Sequence, residues 1–218
     1  MKFAAFETST EWCSAALWLD GEILSVEERA GNGHSARLLP MLDRLAAQAG
    51  MALASLDAVA FGAGPGSFTG LRVAAGIAQG IAYARGIPAI GVSTLEAMAE
   101  ESGGTRVASC LDARMREVYY CALERSDGRW REIIPALCAA PAAVPKPPGD
   151  GWIGCGNGFA AYGPMGYAKV IPDIHPTAMA VARLAAPRLA AGEGVDAALA
   201  VPVYVRDKVA FTEAERGA

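Results

Sequence analysis

Two histidines, His34 and His175, are all that the 218 residues hold. Neither has a second histidine four positions on, so the helical pair that grips a zinc ion is missing. Five cysteines (Cys13, Cys110, Cys121, Cys138 and Cys155) make an odd count without a C-x-x-C. They read as reduced thiols, not as a disulfide framework or a metal site. Long apolar runs are absent too. A spanning helix needs about 18 apolar residues, and Gln79, Arg85, Arg183 or Arg188 interrupts each candidate. Glu7 cuts the apolar start short, so no secretory signal is read and a cytoplasmic location without membrane contact is expected. Basic runs are the last absence. With 19 Lys and Arg against 23 Asp and Glu, the formal net charge is −4. A chain that bound RNA alone would show a basic patch, so any tie to RNA is expected to run through a partner.

What is present is apolar and small: 53% hydrophobic residues, 25 glycines and a mean hydropathy of +0.25. That supports one large domain or two small ones with a real core. "KFAAF", "CSAALWLDG" and "EILSVEE" read as three strands, with Asp20-Gly21 as a hairpin turn. A helix is predicted over 34–49, with Leu38, Leu39, Leu42, Leu45 and Ala46 on one face and Gly50 as its stop. The strand "LDAVAFG", a glycine loop, a helix over 71–85, the strand "PAIGV" and a helix over 95–101 capped by Ser93 or Thr94 follow. Gly103-Gly104 reads as a seam. "RVASCLDA", "REVYYCALE" and "WREII" then repeat the opening, with an acid at a strand end (Asp112 for Glu7) and a second Asp-Gly turn at 127–128. The order implies an internal duplication with a period of about 105 residues. The five prolines of 135–150 read as a loop without regular structure. "WIGCGNG" is a further strand, and a helix from Thr177 to about Ala191 closes the pattern, with Pro187 as a kink or break.

The stretch "FGAGPGSFTGLRVAAG" at 61–76 poses the central question. It lacks the lysine and spacing of a Walker loop, and G-x-G-x-G is no dinucleotide fingerprint. Backbone N–H groups at a helix start still attract anions. Tight turning and close packing are the competing reasons for glycine, and the spacing favours them. Ser67 reads as a helix cap, since no G-x-S-x-G elbow surrounds it. Arg72 in the first helical turn opposes the helix dipole, and a salt bridge to a nearby acid is the first expectation. Gly76 and Gly80, with Ala74, Ala75, Ala78 and Ala82, put small side chains on more than one side of the helix. One side suits a sheet and the other a second chain.

"FETST", "GHSARLLPML", "GAGPGSFTGLRVAAGIAQGIA", "DARMREVYYC", "GNGF" and "PVYVRDKVAFTEAER" together resemble the TsaB family, also called YeaZ, from one end of the chain to the other. The resemblance implies an α/β chain of the actin-like ATPase fold. Its two duplicated lobes, 1–103 and 104–218, would each carry a mixed five-stranded sheet flanked by helices. It implies a role in forming N6-threonylcarbamoyladenosine at position 37 of tRNAs that read codons beginning with A. There TsaD transfers the threonylcarbamoyl group, TsaB is its non-catalytic partner, and the small ATPase TsaE joins them. No catalytic residue, metal ligand or cofactor is then expected in this chain; ATP or ADP and metal belong on partner subunits, and tRNA is met only through the complex. TsaD carries two metal-binding histidines four apart on a helix; here His34 is followed at that spacing by Leu38. Glu7 departs from the aspartate usual in relatives. The resemblance also implies an interface of two helices, with His34, Leu38, Met41, Leu42 and Leu45 on one and Arg72, Val73, Gly76, Gln79, Gly80 and Tyr83 on the other. The same surface would make a homodimer when TsaD is absent. A stand-alone ATP-binding protein and a glycoprotease-like peptidase are the rival readings.

Overall fold

A computed structural model describes residues 1–31 and 33–206. The last part of the family-like tail, 207–216, lies outside the described residues. The first sheet holds β1 (Lys2–Glu7), β2 (Trp12–Leu19), β3 (Glu22–Arg29), β4 (Ala58–Gly64) and β5 (Ala89–Ser93), in the order β3-β2-β1-β4-β5. The second holds β6 (Arg106–Arg114), β7 (Glu117–Ser126), β8 (Arg129–Ala139), β9 (Ile153–Cys155) and β10 (Lys169–Ile171), in the order β10-β9-β6-β7-β8. Counted within each unit, both sheets read 3-2-1-4-5. In both, the first three strands pair antiparallel and the last two join in parallel. The duplication is therefore one of topology, and it defines an actin-like ATPase fold. Asp20 and Gly21 at φ 53° and 112°, and Asp127 and Gly128 at φ 52° and 76°, make the two matching hairpin turns. Both central residues of such a turn need positive φ to follow the strand twist.

Alternation along the strands sorts the core into layers. Ala4, Phe6, Cys13, Ala15 and Leu17 face α1 (His34–Gln48) and α2 (Phe68–Arg85). Phe3, Ala5, Ala16, Ala58 and Ala60 face α5 (Ala178–Ala190) on the other side. Alanine on strand and helix alike lets the layers approach closely, which accounts for much of the composition. α3 (Thr94–Glu101) leaves the first unit to cover the second sheet, where Leu95, Met98 and Ala99 pack with Val107, Leu111 and Cys121. α4 (Asn157–Tyr162) places Phe159 on the opposite face, beside Tyr120.

Several expectations are corrected. α5 and the residues after it, assigned to the second lobe, pack on the first sheet, and Val195 pairs with Ala89 of β5. The apolar face of α5 matches that sheet, and a boundary drawn along the sequence cannot register a returning helix. The loop foreseen over 135–150 starts late, because β8 runs to Ala139 and includes Pro135. β8 is an edge strand with irregular pairing near Tyr120 and Ala122, a setting where proline loses no ladder bond. α2 begins at Phe68, three residues earlier than read, with Ser67 Oγ accepting from Gly70 N at 3.3 Å. α5 continues through Pro187. Leu39 points outward, and Met41 takes its place in the core.

The segment that carries the chain back from β10 to α5 is stapled on three sides. Thr177 Oγ1 donates to Glu101 at 2.6 Å, and Ala178 N donates to Ser14 Oγ at 2.8 Å. His175 stacks on Trp12 at 4.5 Å and sets Nε2 3.1 Å from Glu27 of β3. Burial works against a charged ring here, but the Glu27 carboxylate, aided by the Asp173 carbonyl and Glu101, more than offsets it and raises the pKa of His175. A raised histidine pKa contributes stability that is complete below about pH 6.5 and is lost as pH climbs through the folded value. The difference in melting temperature between the wild-type chain and His175→Gln is expected to be largest near about pH 6 and to narrow toward about pH 8.5. The pH-dependent part corresponds to about 1 kcal/mol or less. A difference constant across that range overturns the ion-pair assignment and leaves only the Trp12 stack.

Candidate functional site

The glycine loop is crowded by its own chain. A Cβ on Gly62 would sit 1.8 Å from Glu7 Oε2, one on Gly66 2.6 Å from Ser9 O, and one on Gly70 1.9 Å from Thr8 O. Gly64 holds φ at +116° before a cis bond to Pro65, with the Val203 carbonyl 2.6 Å from where its Cβ would be. Ser67 N donates to Ser9 O at 2.7 Å, and Thr8 Oγ1 donates to Gly70 O at 2.7 Å. At Gly62, Gly66 and Gly70 the loop packs on residues 7–9, so close packing accounts for these glycines.

Nor do the two strand-end acids suit a metal or phosphate between them. Glu7 is buried, with Oε1 accepting from Ser9 N at 2.6 Å and Oε2 wedged against Gly62 without a partner among the described residues. Burial pushes its carboxyl above the usual range, against the lowering effect of the bonds from Ser9 and Thr8; a carboxylate that holds a cation must be ionised. Asp112 already accepts from Arg114 N at 2.8 Å and Tyr162 at 3.3 Å, and it pairs with the Arg114 guanidinium. Among the described residues, no three His, Cys, Asp or Glu gather to hold a metal.

The outer side of α2 is the opposite case. Its inner face, Ala74, Ala75, Ala78 and Ala82, is buried on the sheet, while Arg72, Gly76, Gly80 and Tyr83 form an exposed stripe. A Cβ on Gly76 or Gly80 would meet nothing within 4 Å. Each glycine inside a helix costs about 0.5–1 kcal/mol relative to alanine. Among the described residues, nothing packs closely enough on either position to require glycine. Tyr83 is 85% exposed. Alongside lie Phe68, Leu199, Val201, Val203 and Tyr204, also exposed. They are half of the large apolar side chains that face solvent, and such clustering marks an interaction surface.

The expected site residues divide along this line. Arg72, Gly76, Gly80 and Tyr83 are exposed, and Val73 and Gln79 are half-buried. Leu38, Met41, Leu42 and Leu45 lie wholly within the core under the first sheet. They cannot touch a partner, because the amphipathic face of a helix serves one neighbour only. His34 is also corrected: its Nε2 lies 2.9 Å from Thr10 O and 3.2 Å from Trp12 O, so the ring donates there and pins α1 to β2. The outward residues of α1 are Ser35, Ala36, Arg37, Leu39, Pro40, Asp43, Arg44, Ala47 and Gln48. The salt bridge expected for Arg72 is absent among the described residues; its guanidinium lies 3.7 Å over the Phe68 ring and donates to Tyr204 Oη at 3.1 Å. The contribution of 199–204 was missed in the residue reading. The alternating valines of "VPVYV" at 201–205 were its one signal.

Fold and site together define a protein of the actin-like ATPase architecture whose glycine loop packs on its own first strand end and whose α2 presents an exposed stripe. Comparison with known proteins narrows this further. The family model described as TsaD, tRNA N6-adenosine threonylcarbamoyltransferase, matches residues 26–153. Proteins named tRNA threonylcarbamoyladenosine biosynthesis protein TsaB are 38% identical in Haemophilus influenzae and 37% in Escherichia coli. The alignments cover 95% and 97% of this chain and 94% and 97% of theirs. A crystal structure of YeaZ from Pseudomonas aeruginosa superposes with a TM-score of 0.89 at 40% identity, covering 93% of this chain and 99% of that one. The chain belongs to the TsaB family.

The two sets of glycines are expected to respond oppositely to alanine. Gly76→Ala and Gly80→Ala stabilise the isolated monomer by about 0.5–1 kcal/mol each. Gly62→Ala and Gly70→Ala destabilise it by about 1–3 kcal/mol or more, because backbone or a buried carboxylate must move. Urea unfolding of the four variants, at a concentration where the chain is monomeric, measures both signs.

Proposed function

We propose that the chain serves tRNA threonylcarbamoyladenosine biosynthesis as a docking subunit and not as the transferase. Its partner is a TsaD-type transferase, seated on the exposed stripe of α2 and the adjoining residues 199–204. The observation that carries this is the pair Gly76 and Gly80. They are unfavourable in a lone helix, are unneeded by the fold, and leave a flat ridge on which another helix can lie closely. The buried Glu7, held by Ser9, and the glycine loop packed on residues 7–9 support a role without bound nucleotide or metal of the chain's own; ATP or ADP and the metal then reside on the transferase and on a TsaE-type ATPase that joins the pair. tRNA is brought to the chain within that assembly, and no membrane partner enters. In isolation the same ridge suits a two-fold copy of itself, so a homodimer that exchanges for the heterodimer is part of the reading.

Two measurements test it. Depleting the protein in its own organism should sharply lower threonylcarbamoyladenosine in digested total tRNA, as quantified by mass spectrometry, with rescue by the wild-type chain; an unchanged level removes the chain from the pathway. Gly80→Leu should weaken both the homodimer and transferase binding at least tenfold, about 1.4 kcal/mol, while leaving the monomer's melting temperature unlowered. Unchanged transferase affinity for Gly80→Leu places the docking face elsewhere.

A further inference from the structure

Four arginines far apart in the sequence meet on one edge of the molecule. Arg114, Met115 and Arg116, in the turn between β6 and β7, hold φ at 61°, 56° and 62°. Three consecutive left-handed residues without a glycine are disfavoured, and such strain persists only where the surroundings impose it. Here Asp112 accepts from Arg114 N, and the Arg206 guanidinium reaches the Arg114 carbonyl. The turn holds Arg114, Met115 and Arg116 out in solvent, so it serves no core. Arg206 also pairs with Glu117 at 2.6 Å and lies 5.7 Å from the Tyr119 ring. Two residues back, about 7 Å along an extended chain, Tyr204 meets Arg72 and packs against Phe68 with the rings tilted by 37°. A shallow recess between these groups is lined by Phe68, Tyr119, Tyr204 and Arg206. Asp112 and Glu117 neutralise Arg114 and Arg206, whereas Arg72 and Arg116 have no carboxylate in ion-pair range among the described residues. A local surplus of positive charge thus stands on a chain whose net charge is −4.

We propose that this edge contacts RNA directly, with the exposed Arg114 and Arg116 on backbone phosphates. Guanidinium groups on phosphate oxygens hold RNA without regard to base sequence. The inference rests on the tRNA-modification reading and amends one part of it: within the assembly, the chain adds its own contacts to the RNA that the transferase binds.

The test uses the full chain with its transferase partner and fluorescein-labelled unmodified tRNA, titrated by anisotropy over a series of salt concentrations. R114E/R116E is compared with wild type and with R183E, a charge reversal on exposed α5 away from this edge. Expected for R114E/R116E is at least a tenfold loss of tRNA affinity, alike for tRNAs of different sequence. The slope of log affinity against log salt should fall by about two. Melting temperature and affinity for the transferase should stay at wild-type values, and R183E should change none of these. Unchanged tRNA affinity and salt slope in R114E/R116E overturn the proposal. So does a loss of transferase affinity with tRNA binding retained, which assigns the turn to a protein contact. If the two proteins do not associate at all, the docking reading fails, and the same comparison on the chain alone at low salt decides the RNA contact.

Discussion

The rest of the structure hangs on one close approach, that of the backbone at 66–70 to the backbone at 7–9. Thr8 O lies where a Cβ of Gly70 would be, and Ser67 N and Gly70 O are bonded to Ser9 O and Thr8 Oγ1. This contact sets where α2 begins and how it is rotated about its axis. With the first turn held there, the 3.6-residue period carries Ala74, Ala78 and Ala82 onto the sheet and Arg72, Gly76, Gly80 and Tyr83 away from it. The candidate docking stripe is thus a geometric consequence of the glycine loop, which itself borders the adjoining residues Val203 and Tyr204.

The second constraint is the return of the chain. α3 crosses to the second sheet, and α5 comes back to the first. The Glu96–Arg188 ion pair between these two helices, and the Thr177–Glu101 bond, lie where the crossings meet. Glu96 is buried, so losing its arginine would strand a carboxylate whose pKa burial already raises. The two sheets therefore share helices as well as a linker. The extended segment 203–206 adds a further tie, touching Ala63 and Gly64 of β4 on one side and Glu117 on the other.

Much of this was legible in the sequence where the signal is local. Asp20-Gly21 and Asp127-Gly128 mark hairpins because few other residues adopt two positive φ angles in succession, and they exposed the duplication. Gly50, Gly86 and Ser67 punctuate helices by equally local chemistry. What depended on long-range placement was not legible. Nothing near Leu39 or Met41 says which of the two faces the sheet, since a shift of 100° per residue leaves both plausible on an apolar helix. The α1 interface implied by the resemblance included Leu38, Leu42 and Leu45, which also lie on the helix's periodic apolar face, and strong periodicity marks the buried face. Arg72 drew an expectation of a carboxylate, but its partner, Tyr204, is 132 residues away. Pro135 was read as a breaker because an edge position cannot be known before the sheet is assembled.

The glycine loop also shows why a motif can outlast the chemistry it suggests. Gly62, Gly66 and Gly70 each have a steric reason to be glycine, so no phosphate is needed to explain their presence. The strand-end carboxylate is likewise engaged by its own chain: Glu7 is turned inward against Gly62, accepts from Ser9 N, and burial raises its pKa. With the loop glycines accounted for by packing, Gly76 and Gly80 on the outer side of the same helix, where a Cβ would meet nothing within 4 Å among the described residues, are where the sequence departs from what stability alone would select.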